Sequence, residues 1–265
     1  MHDMSMFKKD KKGLPTYKDR SLDSWVKQYN EAVKSIDDGV GRILKALEKT
    51  GQRENTVVIF TSDNGYAWGQ HGFRLKIAPY DANLLTPLIV SQPNRIPQNE
   101  VCNYPVNGVD IIKTIHSLAG VKPSNQLDGR DMSELLLHPT KEKWDSEPMI
   151  QIYTGSLYGG VEQITKELKK AYKTDNWKKF VVHKTGIRAW MMMRKEKYKY
   201  IRYIDKEYIE ELYDLENDPK ELHNLAIKKE SHQLLKEYRL ETEALFKAKG
   251  ATFIDLLPEP KIVSK

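Results

Sequence analysis

Apolar side chains recur at helical spacing through Leu22, Val26, Tyr29, Val33, Ile36, Val40, Ile43, Leu44 and Leu47, which predicts one long amphipathic helix. Ser21 stands at its start as an N-cap and Gly51 just past its end, where left-handed backbone often closes a helix. The pattern then changes. Thr56-Val57-Val58-Ile59-Phe60-Thr61 is a continuous β-branched and aromatic run, which predicts a strand buried on both faces, as in a parallel sheet. Leu88-Ile89-Val90 is a second short buried strand, and Val109 to Leu118 a helix with Asp110 in its first turn and Gly120 past its end. Residues 121–148 are loop-rich, with Pro123, Asp128-Gly129, Pro139 and Pro148.

Beyond that stretch the pattern is of another kind. Met149 to Tyr153 reads as a strand and Val161 to Tyr172 as a lysine-rich helix, while Lys173 to Lys184 reads as loop. Trp190 to Arg194 and Lys197 to Ile204 read as paired strands, Glu211 to Leu215 as a third, and Ser231 to Lys249 as a closing amphipathic helix ended by Gly250. Helix followed by buried strand is half of a doubly wound α/β layer. The expected organisation is an irregular lead-in over 1–20, an α/β part over 21–147, and an antiparallel α+β subdomain over 148–265.

Composition narrows the function. The chain has 265 residues, and its 43 Lys and Arg against 37 Asp and Glu leave a charge of +6 spread along the sequence, which does not argue for nucleic acid. A lone cysteine, Cys102, excludes an internal disulfide framework or a multi-cysteine zinc site and reads as a small buried hydrophobe. No apolar run reaches the ~18 residues that a membrane-spanning helix needs. Met1 to Lys9 lacks the apolar core of a secretory signal peptide.

Candidate chemistry lies directly after the first buried strand, at Ser62-Asp63-Asn64-Gly65, because sites in open α/β sheets gather beyond the carboxyl ends of strands. Asp63 and Asn64 offer a carboxylate and an amide oxygen, donors suited to a hard cation such as Ca2+, although Asp-Asn-Gly is equally a turn tripeptide. Neighbouring strand residues point to opposite faces, so both can reach one ion only if the backbone turns there. Two donors do not fill a Ca2+ sphere of about six to eight oxygens. Gly69-Gln70-His71-Gly72-Phe73-Arg74-Leu75-Lys76 adds a His and a Lys on a glycine-rich loop. Both can donate to an oxyanion, and each alone is more often a solvated surface group. Metal ligands, then His, then Lys is a kit for cleaving an anionic ester.

Thr61-Ser62-Asp63-Asn64-Gly65, Gln70-His71-Gly72, Lys76, Tyr80-Asp81 and Thr86-Pro87-Leu88-Ile89-Val90 together resemble the second half of a type I sulfatase, a family of the alkaline-phosphatase-like superfamily. Ile36-Asp37-Asp38-Gly39-Val40-Gly41-Arg42, Leu127-Asp128-Gly129-Arg130-Asp131 and Glu211-Leu212-Tyr213-Asp214-Leu215-Glu216-Asn217-Asp218-Pro219 extend the resemblance over roughly residues 20–250. The resemblance implies an alkaline-phosphatase-like mixed sheet flanked by helices, here partial, followed by the small antiparallel subdomain. It implies Ca2+, in preference to Mg2+, bound by Asp63 and Asn64, with Lys76 on a sulfate oxygen and His71 lining the substrate pocket. The implied substrate is a sulfated small molecule or glycan, and the implied location of the intact enzyme is periplasmic or secreted.

The family's nucleophile is a formylglycine made from Cys or Ser in a Cys/Ser-x-Pro-x-Arg motif that precedes the metal strand. No such motif stands before residue 56. Ser91-Gln92-Pro93-Asn94-Arg95 fits the letters but follows the second strand and reads as an ordinary post-strand loop. The expectation is therefore a C-terminal half whose nucleophile and remaining metal ligands lie on an N-terminal half-chain, and which exposes a strand edge and an apolar face. Phosphodiester or phosphonate hydrolysis by the same fold, and a non-catalytic binding module, stay open beside sulfate-ester hydrolysis. His183, Lys184, Arg188 and the helix lysines Lys166, Lys169, Lys170 and Lys173 could touch an anionic sugar, with a solvated face as the plainer reading.

Overall fold

The computed structural model describes residues 8–18, 20–140, 144, 148–155, 159–181 and 187–261. In chain order they form β1 (Lys8–Lys9), β2 (Pro15–Tyr17), β3 (Arg20–Ser21), α1 (Leu22–Lys49), β4 (Val58–Thr61), β5 (Ala67–Trp68), β6 (Arg74–Leu75), α2 (Asp81–Leu84), β7 (Leu88–Ser91), α3 (Gly108–Leu118) and α4 (Ser133–Leu137). There follow β8 (Met149–Tyr153), α5 (Val161–Thr174), β9 (Trp190–Lys195), β10 (Tyr198–Tyr203), β11 (Glu211–Asp214) and α6 (His232–Ala248). They divide into two compact units. The described residues of Phe7–Trp68 and Leu85–Asp145 make a helical unit, and those of Gly69–Leu84 and Ser146–Lys265 make a sheet unit.

In the helical unit, the lead-in is not irregular over its described residues. β1, β2 and β3 pair antiparallel as a small ribbon. Asp10 closes its turn by accepting from the amides of Lys12 and Leu14 at 2.8 and 2.9 Å. Ser21 then caps α1, its hydroxyl accepting from Ser24 N. The helix runs as its periodicity predicts, yet none of its residues is buried, and Tyr29, Val33, Ile36 and Ile43 are exposed.

β4 and β7 depart from the expected parallel pairing: they run antiparallel, Val58 opposite Ser91 and Thr61 opposite Leu88. β4 is half-buried rather than covered on both faces, and Ile89 of β7 is exposed. A run of β-branched residues reports the apolar surroundings a strand is suited to, not the direction of its neighbour. α3 starts with a reciprocal cap. Asn107 accepts from Val109 N and Asp110 N, and Asp110 accepts from Asn107 N. Asp110 is buried and also accepts from Arg130 N at 2.7 Å, so the Leu127-to-Asp131 motif is tied to the start of α3. Gly129 is required there, because a Cβ on it would lie 2.1 Å from Val109 O. Cys102, expected to be buried, is exposed. It lies between Pro97 and Pro105, outside any helix or strand, where no layer covers it.

The sheet unit holds the best-packed core. Its sheet has the order β11-β10-β9-β8, antiparallel throughout, with Tyr200 opposite both Met193 and Leu212. Trp190, Met191, Met192 and Met193 are all buried, as a core strand should be. On the face covered by α5 and α6, one cluster packs Met191 with Ile164, Leu168, Phe180, Phe246 and Phe253. A second cluster on the same face packs Met193 and Tyr200 with Leu212, Leu235 and Tyr238. Burying each such side chain stabilises by roughly 1.5–3 kcal/mol. Several buried polar groups in this core are partnered. Glu210 receives Arg239 through two nitrogens and the Tyr200 hydroxyl, and Asn224 bridges Leu212 N and Glu210 O, both at 3.0 Å.

Two outcomes follow. Gly129→Ala should destabilise the helical unit by roughly 1–3 kcal/mol in urea unfolding, while Gly108→Ala, which meets nothing within 4 Å, should cost little. Ile36→Glu with Ile43→Lys should leave unfolding free energy within about 0.5 kcal/mol and reduce self-association in sedimentation velocity, because these side chains face water.

Candidate active site

β4 ends at Thr61 and the chain turns at once. Ser62 Oγ donates to Asn64 O at 3.1 Å, and Asn64 Nδ2 donates to Gly65 O at 2.8 Å. The amide nitrogen of Asn64 is thus engaged by its own backbone, and the Asp63 carboxylate stands on the surface. As hard oxygen donors the two residues fit a Ca2+ ion in type but supply too few ligands. Among the described residues no group of three or more His, Cys, Asp or Glu could hold a metal ion. Both residues belong to the helical unit; His71 and Lys76 belong to the sheet unit.

The segment from Gly69 to Ile77 is built from backbone that most residues avoid. Gly69, His71, Gly72, Leu75 and Ile77 have φ of 107, 53, 75, 85 and 84°. Glycine adopts this region without cost, but Leu75 and the β-branched Ile77 do so only under constraint. Gly72 N to Gly69 O and Phe73 N to Gln70 O, at 3.0 and 2.9 Å, close the first half into a tight knot. His71 then stacks flat on Tyr80, with ring centroids 3.7 Å apart and planes 3° from parallel. Lys76 is exposed.

The constraint on the second half is visible. Asn83 Nδ2 donates to Leu75 O at 2.6 Å, and Trp190 Nε1 donates to Ile77 O at 2.8 Å. The carbonyls on both sides of Lys76 are therefore held by side chains. α2, which carries Asn83, is itself anchored. Asp81 accepts Lys199 Nζ at 2.6 Å, with Arg194 at 3.8 Å, while Asp81 N donates to Glu221 at 2.7 Å and Lys199 also pairs with Glu221. Lys199 has no exposed surface and Glu221 is 2% exposed. Burial pushes the Glu221 carboxyl up to about 7, against the pull of Lys199 and with the push of Asp81.

Tyr80 is anchored in the same manner. Glu211, buried, accepts three phenols: Tyr80 at 3.3 Å, Tyr203 at 2.9 Å and Tyr213 at 2.9 Å. Desolvation, then the charge of Glu211, raises all three phenols above the ordinary tyrosine range, so they remain hydrogen-bond donors. Trp190, Asn83, Lys199 and Glu221 were not among the sequence candidates. The faint signals were Tyr80-Asp81 beside Lys76 and the acidic run after Tyr208.

Other sequence candidates sit elsewhere. Ser91 Oγ accepts from Arg53 at 2.7 Å and Gln92 Nε2 donates to Glu54 O at 3.1 Å, so the Ser91-to-Arg95 stretch braces the neighbouring turn. Arg188 pairs with Asp205 at 2.9 Å and lies over the Tyr208 ring. Lys166, Lys169, Lys170 and Lys173 are exposed on α5, opposite the buried Ile164, Leu168 and Ala171. His183 and Lys184 lie outside the described residues.

The sulfatase family model matches residues 4–121, and the model of the C-terminal part of N-sulphoglucosamine sulphohydrolase matches 69–192 and 160–248. An N-acetylglucosamine-6-O-sulfatase of Bacteroides thetaiotaomicron is 26% identical over 83% of this chain and 36% of its own length. The human N-acetylglucosamine-6-sulfatase is 28% identical over 77% of this chain and 38% of its own length. The chain thus spans under two fifths of these curated relatives. A structure solved in complex with its substrate D-glucosamine-2-N,6-O-disulfate superposes with a TM-score of 0.68 at 24% identity, over 84% of this chain and 40% of that one. A phosphonate monoester hydrolase of Agrobacterium radiobacter does so with 0.62 at 24% identity, over 82% and 40%. At such identities the likeness speaks for the fold, which is alkaline-phosphatase-like, and the two family models that tile residues 4–248 speak for descent: the chain belongs to the type I sulfatases and covers the C-terminal part of that family.

Proposed function

We propose that this chain supplies one side of the active site of a Ca2+-dependent sulfuric ester hydrolase acting on sulfated carbohydrate. The observation that carries the reading is the setting of Lys76. It is an exposed cation between two left-handed residues whose carbonyls are both tied down. Preorganised charge of this kind stabilises an oxyanion without reorganising during reaction. Lys76 would bind a sulfate oxygen and offset its charge, and His71, fixed flat on Tyr80, would line the pocket as a second donor. Asp63 and Asn64 would give two of the oxygens that hold Ca2+. When bound, the ion would draw negative charge from the ester oxygens.

Sulfated amino sugar is the favoured substrate, because the relatives named above are N-acetylglucosamine-6-sulfatases. Formylglycine would come from a Cys/Ser-x-Pro-x-Arg motif ahead of the metal strand, a motif that does not occur before residue 56 of this sequence. A periplasmic or secreted location belongs to the same reading; among the described residues no helix is long and apolar enough to cross a membrane.

The 265-residue chain alone should release no sulfate from N-acetylglucosamine 6-sulfate, with or without Ca2+. Combined with a polypeptide that bears the formylglycine motif and the remaining ligands, it should do so. In that assembly Lys76→Met and Asp63→Asn should each lower kcat/KM by about 100-fold or more, measured as sulfate released. Release by the isolated chain, or an active assembly indifferent to Lys76→Met, would overturn the reading.

A further inference from the structure

We infer that Trp190, Asn83, Asp81, Lys199 and Glu221 are positioning residues for Lys76, acting through the backbone on either side of it. The inference rests on the role just proposed for Lys76, but its structural content does not depend on what Lys76 binds.

Two routes lead from the sheet to this lysine. The direct one is Trp190 of β9, whose indole N–H reaches Ile77 O at 2.8 Å. Trp190 is buried in the first position of a strand whose next three residues are also buried, so its ring has little freedom. The second route is a relay. Lys199 of β10 and Glu221 hold Asp81 by its carboxylate and its amide, Asp81 opens α2, and Asn83 in that turn holds Leu75 O at 2.6 Å. Without these tethers Leu75 and Ile77 would relax toward negative φ, and the lysine between them would swing away.

A purely structural core would not need this arrangement. An apolar group at 199 would fill the same space, and burying a lysine with two carboxylates is rarely a gain in stability over apolar packing. What the ions add is direction: a charge-assisted contact fixes Asp81 at one place, where apolar packing would tolerate sliding.

The arrangement also gives the loop a pH response. Glu221 faces Lys199 from β10 and Asp81 from α2, with Arg194 of β9 on Asp81 and the Tyr80 and Tyr213 phenols near it. Its carboxyl is raised to about 7 in the folded chain. The stabilisation that its bound proton brings is full below the ordinary carboxylate value and is lost as pH rises through about 7. The loop should therefore open more readily on the alkaline side of that window.

Amide hydrogen exchange on the full 265-residue chain tests this. Trp190→Phe, which keeps an aromatic side chain but removes the indole donor, and Asp81→Asn should each raise exchange across 69–79 by about tenfold or more, with α6 amides changing less than about twofold. After correction for intrinsic rates, wild-type exchange in 69–79 should increase from about pH 6 to about pH 8, and Glu221→Gln should flatten that rise. Unchanged loop exchange in the variants, or a rise shared equally by α6, would overturn the proposal. Should Asp81→Asn fail to fold, Trp190→Phe and the pH series decide the matter. Loss of sulfate release on Lys76→Met is a separate measurement, so the two readings can fail independently.

Discussion

A lysine without exposed surface demands anions, and in this chain that demand organises the sheet unit. Lys199 recruits Asp81 from the segment before β7 and Glu221 from the turn after β11, two stretches about 140 residues apart in sequence. The desolvation of one ammonium is costly, and only carboxylates placed beside it offset that cost. Once Asp81 is committed, α2 has one place to start, Asn83 has one carbonyl to reach, and Tyr80 falls beside Glu211. The antiparallel sheet is a frame for this set of contacts as much as it is a core.

The two units solve burial differently. The sheet unit covers one face of β9 and β10 with α5 and α6 and meets the other with the segment from Ile77 to Asp81, and its ionic groups are inside. The helical unit keeps apolar stripes in water: Tyr29, Val33 and Ile36 on α1, and Val109, Ile112 and Ile115 on α3. A two-stranded sheet is marginal by itself, and β4 with β7 is such a pair. Its specific contacts include the cap of α3, the close packing of Gly129 on Val109, and the Arg53 brace on Ser91.

Helices and strands were legible wherever period and caps agreed. Ser21, Gly51 and Gly250 end their helices as read, and β8 through β11 lie within a residue or two of their sequence positions. Strand direction was not legible, because the Val58-to-Thr61 run has the same composition beside a parallel or an antiparallel neighbour. Burial was misread where residue type stood in for location, as at Cys102. In the candidate site the chemistry-bearing residues, Asp63, Asn64, His71 and Lys76, could be named from their local string. Their supports could not. Trp190 lies 113 residues from Ile77 and resembles any buried tryptophan until the fold brings its N–H to that carbonyl.

The three phenols around Glu211 carry a consequence for how the protein meets alkali. An exposed tyrosine gives up its proton near pH 10, but Tyr80, Tyr203 and Tyr213 are held well above that value by burial and by the carboxylate they serve. Their stabilising effect is complete below the ordinary phenol value and fails as pH climbs past it, since the unfolded chain ionises first. Base would thus not titrate these rings one by one. It would dismantle the hub, release phenolate absorbance in a single cooperative step, and free the Tyr80 end of the Lys76 loop in the same event.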